Sequence, residues 1–196
     1  MMMTPTVASI VWVLGIVAWC AIRYPYQRRA RKFKIAVHKR SLEEQLLLAG
    51  ATVGLVVVPA LWMATGFPAA LDTSFHPLRG WLGTACMLAF LWLFRAVHRQ
   101  LGRNWSITLE IREDHVLITE GLFKHIRHPM YSSFWLWSIA QALLLPNWIA
   151  GCAGVVSIAA LYFGRVGREE ALMRETFGPQ YDAYMGRTKR IIPWVM

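Results

Sequence analysis

The sequence predicts an all-α integral membrane protein with five transmembrane helices, and three observations predict it. The chain of 196 residues is 56% hydrophobic and only 16% charged, with a mean hydropathy of +0.38. Soluble domains carry about 25% charged residues. The apolar residues gather in long runs, and three of these reach the roughly 20 residues a helix needs to cross a bilayer. The 21 Lys and Arg fall unevenly between those runs.

The first span is Pro5–Ile22. No basic region precedes it, as one would in a cleaved secretory signal, so it reads as a retained span. Loop one, Arg23 to Arg40, mixes basic residues with Tyr24, Tyr26, Phe33 and Ile35, and is expected to lie on the inner membrane surface. The second and third spans are Leu46–Phe67 and Leu78–Val97. Between Gly102 and Gly121, Ile107, Leu109 and Ile111 alternate with polar residues, and Val116, Leu117 and Ile118 form a short apolar run. That pattern predicts a brief hairpin or an extended cap under the membrane.

The fourth and fifth spans, Tyr131–Leu145 and Trp148–Gly164, are short, and only Pro146-Asn147 separates them. Proline lacks a backbone donor and marks a turn, so the two form a tight helical hairpin. An amphipathic helix through Ala171, Leu172 and Phe177 follows, stopped by Gly178-Pro179. A second short helix carries Tyr181 and Tyr184 on one face.

Charge sets the expected orientation. Eight Lys or Arg lie between Arg23 and Gln45, six between Arg95 and Arg127, six from Arg165 onward, and only Arg79 in the second loop. Basic loops stay in the cytoplasm, so the N-terminus is expected outside and the C-terminus inside. The net charge of +10 then reflects cytoplasmic loops beside anionic lipid, and no nucleic-acid partner is expected. Cys20, Cys86 and Cys152 each sit within an apolar run, which gives neither metal-ligand spacing nor a disulfide framework. No metal is expected. His38, His76 and His98 read as isolated surface or interfacial residues, and the sequence has no dinucleotide fingerprint or P-loop.

Two stretches carry the candidate chemistry. In Arg127-His128-Pro129-Met130-Tyr131, proline keeps His128 out of the α region and opens a helix. A helix start offers free N–H groups to an anion such as a carboxylate, flanked here by His128 and Tyr131. The plain alternative is a span start with a snorkelling Arg127 and an interfacial Tyr131. Arg165 and Glu169, four apart, share a helix face as they leave a span, where ionisable groups are expensive and usually functional. The plain alternative is a surface ion pair. Glu170 points elsewhere and is expected to be solvated.

Taken in order, His115-Val116-Leu117-Ile118-Thr119-Glu120-Gly121-Leu122-Phe123, Arg127-His128-Pro129-Met130-Tyr131, Arg165…Glu169-Glu170 and Phe177-Gly178-Pro179-Gln180-Tyr181…Tyr184 resemble the isoprenylcysteine carboxyl methyltransferase (ICMT) family. The resemblance covers about Arg103 to Pro193, and the chain looks like the small prokaryotic-type members. It implies a cytoplasmic C-terminal cofactor-binding region below the five expected spans, the cofactor being S-adenosylmethionine. The family's cofactor contacts fall on His115, Val116, Leu117, Ile118, Phe123, His128, Pro129, Met130, Tyr131 and Glu169, and its substrate-binding arginine on Arg165. Arg165 and Glu169 are thereby the expected catalytic pair. Phe123 stands where the family usually has Tyr, and Thr108 near a Gln contact of animal members, so two polar contacts are absent.

The resemblance divides the chain into 1–98, spans one to three with the basic loop, and 99–196, the catalytic half. Its implied partners are the lipid bilayer and a lipophilic or prenylated substrate. A carboxylate acceptor, ionised at neutral pH with a pKa near about 3.5, needs no general base, whereas an amine acceptor does, and no free base is evident. Alternatives in the sequence are a phospholipid or amine N-methyltransferase, an NADPH-dependent sterol-type membrane reductase, and a membrane scaffold without activity.

Overall fold

The structure, a computed structural model, describes residues 2–30, 35–38, 41–102, 105, 110–112 and 116–195. In chain order it contains α1 (Pro5–Ala30), β1 (Ile35–His38), α2 (Leu42–Thr52), a π-helical turn (Val53–Val57), α3 (Val58–Thr65), α4 (Pro77–Leu101), β2 (Glu110–Arg112), α5 (Pro129–Leu144), α6 (Trp148–Phe177) and α7 (Pro179–Arg187). Short 3-10 turns lie at Ala69–Leu71 and Gly121–Lys124. His115 and Thr108, both singled out in the sequence, lie outside the described residues.

Four helices are long and apolar enough to cross a membrane: Pro5–Ala30, the continuous Leu42–Thr65, Pro77–Leu101 and Trp148–Phe177. The fifth expected span, α5, has 16 residues, close to its expected length and short of a full crossing. Large apolar side chains face outward along these helices, among them Leu14, Trp92, Val156 and Phe163. A helix that is apolar on its outer face as well as its inner one needs a lipid surround. The sequence boundaries are off mainly at the helix ends next to the basic segments. There α1, α4 and α6 run on past their apolar cores as polar helix, and the amphipathic segment after Glu170 is the end of α6.

The interior is a stack of aromatic rings where α1, α4 and α5 meet. Phe90 and Trp137 lie 4.9 Å apart between centroids and Trp19 and Trp137 5.0 Å. Against α6, the chain of Leu42–Thr65 approaches very closely: a Cβ on Gly54 would collide with Ser157 and the Ala153 carbonyl. The π turn leaves the Gly54 carbonyl without its helical partner, and the buried Gln141 amide donates to it (3.0 Å) and to the Ala150 carbonyl (2.8 Å). Such satisfaction is required where no water reaches.

The expected turn at Pro146-Asn147 is present and is tied down. Asn147 caps α6, its side-chain oxygen accepting from Ile149 and Ala150 N–H at 3.0 Å. Its amide donates to Asp72 (2.7 Å). Arg79 donates to the Ala142 and Leu145 carbonyls that end α5. The lone basic residue of the second loop thus serves as a helix cap for the hairpin.

Much of the segment expected to form a hairpin or an extended cap lies outside the described residues. Of what is described, Glu110–Arg112 pairs antiparallel with Ile35–His38 of loop one, in the register Val37↔Ile111 and His38↔Glu110. Val116–Thr119 adopt no regular structure. Pairing with a distant segment leaves no signature in local alternation, which reports strand character only.

Candidate active site

Helix α5 begins at the site because of Pro129. His128, before it, takes φ −123°, ψ 57°, outside the α region as a residue preceding proline must. The helix start offers fewer free donors than expected. Pro129 has none, and the Tyr131 and Ser132 N–H groups both bond to the His128 carbonyl (3.0 and 3.3 Å). Met130 N–H is the one left in that turn among the described residues.

A C-terminal strap holds this turn from outside. Arg127 N–H donates to the Lys189 carbonyl (2.7 Å), His128 N–H to the Arg190 carbonyl (2.8 Å), and Ser132 Oγ to the Ile191 carbonyl (2.6 Å). Gly178, at φ +52°, turns the chain from α6 into α7 so that this strap can return. Tyr181 and Tyr184, on one face as expected, are buried against Phe123 and Val97. The Tyr184 hydroxyl donates to the Phe123 carbonyl at 2.6 Å. Burial pushes that phenol up to about 12, which keeps it a donor.

Inside the strap, Glu169 is held from three sides. The Tyr131 hydroxyl donates to its Oε1 at 3.0 Å, Arg165 Nε lies 2.7 Å from the same oxygen, and His128 Nδ1 lies 3.5 Å from Oε2. Arg165 also reaches Glu44 of α2 at 3.5 Å. The surface ion-pair alternative therefore fails, since Arg165 is buried and Glu44 fully so.

Glu170 corrects the sequence reading. It is not solvated but 3% exposed. It accepts from Arg127 Nε (3.1 Å) and Nη2 (3.0 Å), from Arg190 Nε (3.1 Å) and Nη2 (2.7 Å), and His128 Nε2 lies 3.3 Å away. Arg127, read as a snorkelling residue, instead joins this knot and donates also to the Thr188 carbonyl. His98 is a second correction. It is fully buried between α4 and Trp105, its ring 4.8 Å from that indole. Both residues sit on polar helix ends that close over the site, which a linear reading takes for solvated faces.

The His128 ring bridges the two carboxylates, with each nitrogen facing one. Burial works against the imidazolium, but hydrogen bonds and charge from Glu169 and Glu170 outweigh it and raise His128 above its ordinary value. A proton held more tightly in the folded state stabilises it fully below the ordinary value of about 6.5. That contribution is lost as pH rises through the raised value. The apparent melting temperature of the ligand-free protein should therefore fall as pH climbs from about 6.5 upward, and His128→Gln should flatten that fall. Parallel pH profiles for the two proteins would contradict this.

These groups border one cavity of about 520 Å³. Of the expected site residues, Val116, Leu117, Ile118, Phe123, His128, Pro129, Met130, Tyr131, Arg165 and Glu169 all line it, and His115 is outside the described residues. Glu170 does not line it. The cavity continues between the membrane helices along Leu48, Leu55, Phe134, Trp137 and Ile158. Sequence reading missed Arg23, His98 and Trp105, which also form its wall. Arg23 was counted only as loop charge, and the indole and imidazole carried no motif. Among the described residues, no group of three or more His, Cys, Asp or Glu is arranged to hold a metal.

The comparisons with known proteins bear on the same half of the chain. Residues 81–175 match the model of the isoprenylcysteine carboxyl methyltransferase (ICMT) family. Protein-S-isoprenylcysteine O-methyltransferase B of Arabidopsis thaliana is 35% identical over 96 residues, 48% of this chain and 49% of that protein. The protein-S-isoprenylcysteine O-methyltransferase of Schizosaccharomyces pombe is 28% identical over 116 residues, 58% of this chain and 48% of that protein. The chain thus spans about half the length of the curated relatives it matches. A solved structure of the eukaryotic intramembrane Ras methyltransferase ICMT superposes with a TM-score of 0.53 at 22% identity, covering 81% of this chain and 55% of that one, a likeness of fold. The resemblance read in the sequence stands over residues 81–175.

Proposed function

With residues 81–175 matching the ICMT family, we propose that the chain is an integral membrane S-adenosylmethionine-dependent methyltransferase. Its acceptor is a carboxylate on a lipophilic molecule, such as that of a prenylated cysteine. One observation carries the reading: the expected cofactor residues and an apolar chamber between the long helices share one cavity. The volume of about 520 Å³ suits a cofactor-sized ligand. Glu169 is the one carboxylate in the wall among the described residues, as a ligand with an ammonium group requires.

In this account Val116, Leu117, Ile118 and Phe123 form the apolar side of the cofactor site, and His128, Pro129, Met130 and Tyr131 its other wall. His115 belongs to the same site by family resemblance. Met130 N–H serves the cofactor's carboxylate, and the His128 imidazolium, held between Glu169 and Glu170, fixes the Glu169 side chain. Held by these residues, the cofactor would supply an electrophilic methyl group to an acceptor carboxylate oxygen. No proton moves, so no general base is needed. Tyr131 and Arg165 fix the Glu169 carboxylate, and the Arg165 charge borders the space where the acceptor enters. Catalysis is then positioning and electrostatics in a water-poor chamber.

The functional division is 1–98 for spans one to three and 99–196 for the catalytic half. All five helices, α5 included, cross or nearly cross the cell's inner or plasma membrane, with the N-terminus outside and the site cytoplasmic. The basic residues at the site end of the bundle support that orientation. Purified protein in detergent should bind S-adenosylhomocysteine and not NADPH. Binding of NADPH alone would replace the methyltransferase reading with the reductase one.

A further inference from the structure

Arg23 differs from the other arginines of the cavity wall. Arg127 and Arg165 each meet a carboxylate, at 3.0 and 2.7 Å. Among the described residues, none pairs with Arg23, which is half-buried near the end of α1. Its guanidinium carbon lies 5.1 Å from the Trp19 ring centroid and 5.9 Å from that of Trp105. The indole faces stabilise the cation and hold its plane, yet leave its N–H fork unused. A guanidinium in a low-dielectric wall without a counter-charge is costly unless a ligand supplies one.

His98 gives the second, independent sign of a ligand. It is fully buried, its Nδ1 lies 2.9 Å from the Phe94 carbonyl, and among the described residues Nε2 meets no partner. A carbonyl only accepts, so Nδ1 carries the proton and the neutral ring presents a lone pair at Nε2. A buried acceptor left open in a cavity wall calls for a donor. Trp105 links the two groups, touching both the His98 ring and the guanidinium.

We propose that Arg23, His98 and Trp105 form the subsite for the polar head of the methyl acceptor. The Arg23 fork receives the carboxylate, and His98 Nε2 accepts an N–H beside it. That pairing is the head of an N-acylated amino acid, such as a chain's C-terminal residue. Its apolar tail lies along Leu55, Phe134, Trp137 and Ile158. The inference rests on the methyltransferase reading and moves the main carboxylate contact from Arg165 to Arg23. Arg165 is already engaged by Glu169 and Glu44, whereas Arg23 has charge to give.

The test compares binding of an N-acetyl S-prenyl cysteine with that of its methyl ester, which lacks the charge. Wild-type protein should prefer the acid by roughly 10-fold or more, the range of a charge-assisted bidentate contact. Arg23→Gln should lose the preference while keeping S-adenosylhomocysteine affinity, and Arg23→Lys should keep part of it. An unchanged preference in Arg23→Gln overturns the proposal. If that variant does not fold, Arg23→Lys decides: a reduced acid preference at constant ester affinity supports the subsite, and an undiminished one overturns it. Failure of wild-type protein to bind S-adenosylhomocysteine would instead strike the methyltransferase reading, a separate result.

Discussion

Glu169→Gln should abolish cofactor binding while leaving the protein folded. The carboxylate borders the cavity and is fixed by Tyr131, Arg165 and His128 at 3.0, 2.7 and 3.5 Å. One hydrogen bond from Tyr131 and two flanking cations fix the carboxylate before any ligand arrives. Glutamine keeps the shape and one acceptor but removes the charge that an ammonium group needs. Removing one partner of a buried charge pair between protein and ligand costs about 2–5 kcal/mol, roughly 30-fold or more in affinity, while Glu44 still faces Arg165 and helps to keep the fold. Isothermal calorimetry with S-adenosylhomocysteine reads this directly. Affinity within a few-fold of wild type would remove Glu169 from the cofactor site.

Glu170→Ala should act the other way, on the fold first. The side chain is buried and receives both Arg127 and Arg190 and one nitrogen of His128. Arg127 is almost fully enclosed, with 8% of its side chain exposed, so removing Glu170 leaves a buried cation uncompensated. Arg190 is 44% exposed and can return to water, which moderates the loss. A destabilisation of about 3 kcal/mol follows, the lower end for a broken buried pair. For a chain of this length that is a drop of roughly 6–12 °C in melting temperature. The strap that carries Arg190 should loosen with it and expose residues 188–191 to protease. A melting temperature within a degree or two of wild type would mean that the knot contributes nothing to the fold.

The contrast between these neighbours also marks what was legible in the sequence. The Arg165–Glu169 spacing identified a helix face leaving a span, and both residues border the cavity. The adjacent Glu170 lies about 100° further round the helix, and only the returning C-terminal strap decides whether that face is solvated. Strap and helix start pair through backbone groups of Arg127 with Lys189 and of His128 with Arg190, far apart in sequence, and such pairing leaves no mark on local pattern. Apolar runs and the Pro146-Asn147 turn gave the helices and their hairpin because hydropathy acts locally. The roles of Arg79, Gln141 and His98 depend on carbonyls and rings from other helices. Polar residues of that kind look like loop charge or noise until the bundle closes.

The methyl-transfer claim is tested most directly by the fate of a labelled methyl group. Purified protein is incubated with methyl-tritiated S-adenosylmethionine and an N-acetyl S-prenyl cysteine, and the lipophilic product is treated with base. The account predicts label in the product that base releases as volatile methanol, the signature of a methyl ester, and its loss in Glu169→Gln. Label that resists base would mean N-methylation, and an unlabelled product despite bound cofactor would contradict the carboxylate as acceptor.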